Sequence, residues 1–467
     1  MVKSFKGKKV LVMGLGLHGG ALSVVKWLLR HGALLTITDT QSKIQLKTSL
    51  EKISKLRGAK KIKYSLGGHD MVDFRDQDLI IQNPAVPKDS KFLKKARQKN
   101  ILIINEAVMF FGLYPGSSIG VTGTRGKSTV STLIHKILKT TIKTNVVAGN
   151  IATNPMFDAI GKLKVNSLPV LELSSWHLEI MDDYKVSPHI SVVTNVLNDH
   201  LNRYKNFAHY RAAKQVIAKH QVKRDKLVLN ADNVISKSFA KSAKAYVYFY
   251  SLKNKVKGAY LKNNKIYFNS QGRNSLVMET DKIKLLGQHN LSNILAAVCV
   301  AKIVGIANKD IAKAVNNFKG VQYRLEHKAN IGGIDIYNDS TSTTPDATMA
   351  AIQAMANKKV ILIAGGEDKK LDYDKLAKQI KSKVKYLVLL SGSGSDKLKK
   401  ELKKIKCPQD KIITDVSNLK KAWQLALQAK DRGEVILFSP AAASFNMFKN
   451  EFDRAHQFDS LINLLRN

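Results

Sequence analysis

The segment VTGTRGKSTV, residues 121–130, joins an apolar strand to a helical pattern through Gly123 and Gly126, with Lys127 and Ser128 directly behind. Glycines let a backbone loop approach phosphate closely; the lysine can then reach terminal phosphates, and the serine hydroxyl can meet a magnesium ion. The common phosphate loop has its first glycine six positions before the lysine, where this chain has Val121, so the spacing leaves the kind of nucleotide enzyme open. Downstream, Glu172 closes the strand in VLELSS and His200 follows another in NVLNDHLNRY. A carboxylate and an imidazole suit a catalytic divalent ion. Each alone at a strand end is usually structural, and only their combination with the loop gives them weight. Lys214, in YRAAK, does not suit a metal, because its ammonium repels a cation.

A second glycine loop precedes this one. In KKVLVMGLGLHGGALSVVKWLLRHG a strand ends at Gly14-x-Gly16-x-x-Gly19 and a helix opens at once, offering free N–H groups to a phosphate. The next strand ends in Asp39, where a dinucleotide site would place its ribose ligand. Taken alone, this loop reads as that of a nicotinamide-dependent oxidoreductase, with His18 as a surface residue. A dehydrogenase has no use for the loop at Lys127, so the pair reads as one phosphorylated ligand on the first unit and ATP on the second.

The elements that must hold these residues alternate. Apolar runs such as KKVLVMG, ALLTITD, DLIIQNP and ILIIN are separated by helical patterns, which predicts parallel strands with crossover helices. A second such region runs from SSIGVTG through VLELSS, ISVVTNV and KLVLNAD. AYVYFYS, GAYLKNNKIYFNS and KIKLLG are then expected as short antiparallel strands, followed by a helical stretch to about residue 319. DIYNDS, KKVILIAGG, KYLVLLSG and EVILFSP mark a third region. The fold class is α/β in three domains, with expected bounds 1–105, 106–320 and 321–467, in keeping with ~100–200 residues per domain.

The 467 residues carry 77 Lys+Arg against 36 Asp+Glu, a formal net charge of +41. A nucleic-acid-binding ATPase is therefore a reading to weigh, but the lysines are spread along the whole chain. In KLKKELKKIK they alternate with apolar residues as on a solvated helix face, and no zinc-finger spacing or recognition helix is present. A lysine-rich surface attractive to polyanionic small substrates is the expectation, with no nucleic-acid partner. No apolar run approaches the ~20 residues that span a bilayer, and the N-terminus reads as a first strand, not a signal peptide. Cys299 and Cys407 cannot make a disulfide framework and are expected to be reduced, in a cytoplasmic protein.

TGTRGKST, LELSSWHLE, NxxNDHLxRY, YRAAK, GQHNLSN, YRLE, NDSTSTT, GGEDKK and SPAAASFNMFKNEFDR, in this order over nearly the full length, resemble the Mur ligases of bacterial cell-wall synthesis. TGxxGK[ST] is the ATP signature of that family. The resemblance implies an N-terminal Rossmann-like UDP-binding domain, a central ATPase domain of the P-loop type with a mostly parallel sheet, and a Rossmann-like C-terminal domain that binds the amino acid. It implies an ADP-forming ligase that adds glutamate, with D-glutamate expected ahead of L-glutamate, to the L-alanine carboxylate of UDP-MurNAc-L-Ala through an acyl phosphate. Family members adding L-alanine, a diamino acid or D-Ala-D-Ala carry other residues in place of NDSTSTT.

Residue by residue, the resemblance implies that Gly123, Thr124, Arg125, Gly126, Lys127, Ser128 and Thr129 cradle the triphosphate, with Asn290 and Asn293 on the adenine side. Arg324 and Asp339 are implied at the nucleotide from the C-terminal domain. Glu172 and His200 match magnesium ligands, beside Ser128, and Lys214 matches a lysine carbamylated to an anion that holds a second Mg2+. Gly16, Leu17, His18, Asp39 and Thr40 match the UDP side, and Asn150 and Ser174 the muramoyl-peptide end. Thr343, Lys369, Ser444 and Phe452 match positions that hold glutamate. The chain departs from many relatives at Arg125, where they carry Asn, at Thr341, where they carry Lys, and at Glu451, where some carry an aromatic. A monomer with small-molecule substrates and no membrane insertion is expected.

Overall fold

The structure is a computed structural model and describes residues 4–16, 19–151, 154–199, 203–356, 358–432 and 434–465. The chain divides into two compact units, one of Met1–Lys282 with Ser292–Asn316 and one of Ile283–Leu291 with Asn317–Asn467. The first unit carries two sheets and the second carries one.

The first sheet is wholly parallel, in the order β3-β2-β1-β4-β5, from β1 (Lys9–Met13), β2 (Leu34–Asp39), β3 (Lys63–Leu66), β4 (Leu79–Gln82) and β5 (Leu102–Ile104). Strand order reverses at β1, so the loop after β1 opens into the crevice where such sheets take ligands. The helix Gly20–Arg30 follows, burying Val24, Val25 and Leu28.

The second sheet orders β14-β13-β12-β11-β10-β9-β6-β8-β7. Its strands are β6 (Ile119–Thr122), β7 (Val147–Gly149), β8 (Val170–Glu172), β9 (Ile190–Val193), β10 (Lys226–Asn230), β11 (Tyr246–Ser251), β12 (Gly258–Lys262), β13 (Lys265–Ser270) and β14 (Arg273–Glu279). β6 lies between β9 and β8, fully buried, and delivers its loop to the helix Lys127–Leu138. That helix forms because Val130, Leu133, Ile134, Ile137 and Leu138 recur at helical spacing and are all buried. Each such side chain contributes about 1.5–3 kcal/mol when removed from water. Lys136 and Lys139 stay on its outer face.

Two strand expectations fail here. AYVYFYS is β11, and it pairs parallel with both β10 and β12; only β12, β13 and β14 run antiparallel. Apolar alternation does not encode direction. The local cause is Ser251, whose Oγ accepts from Lys253 and Asn254 N–H at 3.0 and 2.9 Å and turns the chain back to begin β12 beside Phe249. KIKLLG is not a strand: residues 283–286 have no regular structure, and the last strand of this sheet in chain order is β14.

The third sheet orders β15-β16-β20-β17-β18-β19, from β15 (Glu326–Ile331), β16 (Ile334–Asn338), β17 (Val360–Gly365), β18 (Val384–Leu390), β19 (Ile412–Val416) and β20 (Val435–Phe438). All its pairs are parallel except the β15–β16 hairpin. Among the described residues no helix is long and apolar enough to cross a membrane. Cys299 and Cys407 are both free and buried.

Candidate active site

The loop after β6 is shaped by its glycines. Gly123 (φ 148°) and Gly126 (φ 82°) hold conformations that side-chain-bearing residues rarely adopt. A Cβ at Gly123 would strike Thr194 Oγ1, and one at Gly126 would strike Asn293 Oδ1. Asn293 is thus brought against the loop, while Asn290 belongs to the second unit and donates to the Leu286 carbonyl at 2.8 Å. Lys127 Nζ curls over the loop to Gly123 O (3.0 Å) and Thr124 O (3.2 Å). Ser128 and Thr129 lie buried in the first turn of the helix.

The segment after β9 fastens this loop. Thr124 and Arg125 N–H donate to Asn195 O (2.8 Å) and Asn195 Oδ1 (2.9 Å), and Leu197 N–H donates to Thr124 Oγ1 (3.0 Å). Arg125 Nη2 stands 3.4 Å from Asp199 Oδ2. The departure at Arg125 therefore has a physical partner, a buried carboxylate from NDH.

Lys214 lies in the helix Phe207–Lys219, is only 2% exposed, and donates from Nζ to Gly123 O at 2.9 Å. Burial pushes its ammonium well below the usual lysine range, helped by the cations of Lys127 and Arg125 and opposed by Asp199 and Glu172. Glu172, at the end of β8, is also buried. Its Oε1 accepts from Asn150 Nδ2 at 3.2 Å, while Oε2 has no donor. A buried carboxylate oxygen left without a partner is costly, and a divalent cation is a group that would satisfy it. Among the described residues no cluster of three or more His, Cys, Asp and Glu side chains surrounds such an ion; His200 lies outside the described residues.

In the first sheet, Gly16 N–H donates to Asp39 Oδ2 (3.0 Å) and Gln41 N–H to Asp39 Oδ1 (2.9 Å). Asp39 thus clamps the glycine loop to the end of β2, with Thr40 exposed beside it. Leu17 and His18 lie outside the described residues. Ser174 caps the helix Ser175–Asp183.

The second unit gathers the remaining candidates. Lys369 Nζ donates to Thr343 Oγ1 at 3.0 Å. Glu367 and Ala443 exchange both backbone hydrogen bonds at 2.9 Å, which brings the Lys369 loop to the turn that carries buried Ser444. Phe452 sits in the first turn of the helix Glu451–Asn463, its N–H donating to Asn450 Oδ1 at 3.0 Å. Asp339 accepts from Leu325 N–H (2.9 Å) and Ser439 Oγ (2.7 Å). Burial raises its carboxyl to about 6, against the pull of Ser342, Ser439, Leu325 and Arg324. Arg324 is presented by a turn in which both neighbours, Tyr323 (φ 63°) and Leu325 (φ 48°), are left-handed. Thr341 Oγ1 donates to Tyr323 O at 2.8 Å and so holds that turn.

Three family models cover the chain: the Mur ligase MurD-like N-terminal domain over residues 8–105, the Mur ligase middle domain over 121–301, and the Mur ligase glutamate ligase domain over 323–442. The chain belongs to the Mur ligase family. Relatives named UDP-N-acetylmuramoylalanine--D-glutamate ligase include that of Roseiflexus sp. (strain RS-1), 35% identical over 98% of both chains. That of Koribacter versatilis is 36% identical over 98% of this chain and 97% of its own. Among solved structures, the UDP-N-acetylmuramate-alanine ligase MurC of Thermotoga maritima shares the fold at TM-score 0.64 with 19% identity, covering 98% of this chain and 99% of that one.

In this Mur ligase, sequence reasoning missed Arg454, Thr194, Asn195 and Asp199. Arg454 is wholly buried and donates to Ser340 Oγ (3.1 Å), Ser340 O (2.8 Å) and Ala442 O (3.2 Å). It staples NDSTSTT to SPAAAS, the turns that carry Thr343 and Ser444. Only the Arg in NEFDR hinted at it, and one arginine in an amphipathic helix is ordinarily solvated.

Proposed function

We propose that this Mur ligase joins D-glutamate to the L-alanine carboxylate of UDP-N-acetylmuramoyl-L-alanine with ATP, releasing ADP and phosphate. The observation that carries the reading is Gly123 O accepting from both Lys127 and Lys214, one at the nucleotide loop and the other a buried amine among Glu172 and Asp199. Relatives at 34–36% identity over nearly the whole chain, each named as the D-glutamate ligase, support the choice of substrates.

A carboxylate resists amine attack because its oxide leaves poorly. Transfer of the γ-phosphoryl group makes an acyl phosphate, the glutamate amine adds to the carbonyl carbon, and phosphate departs. Lys127, the loop N–H groups, Ser128 and Thr129 hold and neutralise the phosphates, with Asn293, Asn290, Arg324 and Asp339 as further nucleotide contacts. Glu172, Ser128 and His200 would hold Mg2+, which neutralises charge on the transferring group. Lys214 suits carbamylation, since only an uncharged amine adds to carbon dioxide and burial favours that form. Its carbamate would help hold a second ion.

Gly16, Leu17, His18, Asp39 and Thr40 take the UDP, and Asn150 and Ser174 the muramoyl-peptide end. Thr343, Lys369, Ser444 and Phe452 take glutamate, the lysine offering a cation to an acidic side chain. The three domains, 1–105, 106–320 and 321–467, act as a monomer in the cytoplasm. Phosphate release from purified protein tests the reading: it requires ATP, magnesium, UDP-MurNAc-L-Ala and glutamate together, and release with L-glutamate alone would correct the stereochemistry.

A further inference from the structure

The helix Ser175–Asp183 opens on a reciprocal cap. His177 N–H donates to Ser174 Oγ at 3.2 Å, and Ser174 N–H donates to His177 Nδ1 at 3.3 Å. With Nδ1 accepting, the ring proton sits on Nε2 and is donated to Glu106 Oε1 at 3.0 Å. Ser174 Oγ itself lies 3.0 Å from Nδ1. Next to Glu106, the Asn105 amide donates to the His177 carbonyl at 3.0 Å. Asn105 and Glu106 follow directly on β5 and start the helix Glu106–Leu113, so the segment leading out of the first sheet grips His177 at its ring and its backbone.

Asn105, Glu106 and His177 are all buried. Glu106 Oε2 has no donor, and a Cβ on Gly20 would stand 3.0 Å from it. Gly20 begins the helix behind the first glycine loop. A buried chain of carboxylate, imidazole and hydroxyl is a costly way to start a helix, because a buried polar atom such as Glu106 Oε2 is left unpaired. A serine cap needs only its own hydroxyl and a free N–H. The extra members do something else: they remove the freedom of Ser174 to rotate, and they set it by reference to the helix start of the other sheet.

We propose that Asn105, Glu106 and His177 are positioning residues for the ligation. They hold the Ser174 hydroxyl oxygen toward the lactoyl-L-alanine end of the sugar nucleotide and tie that setting to Gly20, beside the diphosphate. The proposal rests on the substrate reading above. It distinguishes these residues from the nucleotide machinery, since they act on one substrate and not on ATP.

The test is steady-state phosphate release by the full chain, with the sugar nucleotide and ATP varied separately, and melting temperatures measured alongside. His177→Phe removes both ring hydrogen bonds and is expected to raise the KM for UDP-MurNAc-L-Ala about tenfold or more, the scale of losing a hydrogen bond to a charged group. The KM for ATP stays within about twofold. In a Ser174→Ala background, His177→Phe adds nothing further to the KM, because the side chain it positions is gone. Should His177→Phe fail to fold, Glu106→Leu, which removes the acceptor of the His177 Nε2 proton, carries the test, with the same confinement to the sugar-nucleotide KM and no further effect on Ser174→Ala. An unchanged sugar-nucleotide KM, an equal rise in both KM values, or effects that multiply with Ser174→Ala would overturn the proposal while leaving the substrate reading intact. A wild-type chain that does not act on UDP-MurNAc-L-Ala overturns both.

Discussion

Lys214 Nζ and Gly123 O are hydrogen-bonded at 2.9 Å across 91 positions of sequence, joining a buried amine directly to the glycine loop after β6. The lysine stands where its ammonium is disfavoured by burial and by Lys127, and where the carboxylates of Glu172 and Asp199 oppose that shift. Lys214→Ala is expected to lower kcat about a hundredfold, the scale of removing one preorganised charge from a transition state. Added short carboxylic acids should restore part of the rate by entering the space of the proposed carbamate. Rates equal to wild type, with or without such acids, would remove Lys214 from the mechanism.

Lys127→Ala should abolish turnover to within about a thousandth of wild type, given the proposed role of the lysine in neutralising the group being transferred. Melting temperature should change little, because its bonds to the carbonyls of Gly123 and Thr124 lie within its own loop. Calorimetric titration with ATP and single-turnover phosphate release separate weakened binding from slowed chemistry.

Asp339 supplies a pH signature. Its folded carboxyl titrates at about 6, against about 3.9 in an unfolded chain, so between these values the native state binds more protons. Stability from this group is therefore fully present below about pH 4 and is lost as pH rises through about 6. Denaturant unfolding of Asp339→Asn should lack this decline, and parallel pH profiles for the variant and wild type would contradict the assignment.

Arg454→Met should unfasten the two turns that carry Thr343 and Ser444. Its loss leaves the buried carbonyls of Ser340 and Ala442 without a donor, a cost of about 1–3 kcal/mol each. The expected result is a lower melting temperature together with a raised KM for glutamate and a nearly unchanged KM for ATP. A rise in the ATP KM alone would place Arg454 elsewhere in the mechanism.

Much of this was legible in the sequence because the physics is local. Gly123 and Gly126 announced a tight strand-to-helix loop, and alternating apolar runs announced parallel sheets. Strand direction was not legible at β11, where the outcome depends on Ser251 turning the chain back, nor were β3, β15 and β19, whose residues are largely half-buried or exposed and carry a weak pattern. Arg125 looked like an unexplained substitution until Asp199 stood beside it. Arg454 and the Glu106–His177–Ser174 chain were hidden for the same reason: each joins segments distant in sequence, and pairings of that kind carry no periodic signal.

Glutamate ligation driven by acyl phosphate formation leaves an isotopic signature in the released phosphate. UDP-MurNAc-L-Ala labelled with 18O in the alanine carboxylate is incubated with ATP, magnesium and D-glutamate, and the released phosphate is analysed by mass spectrometry. One 18O atom is expected in each phosphate released, with stoichiometric appearance of the glutamyl product. Phosphate without 18O, or release that does not require the sugar nucleotide, would contradict it.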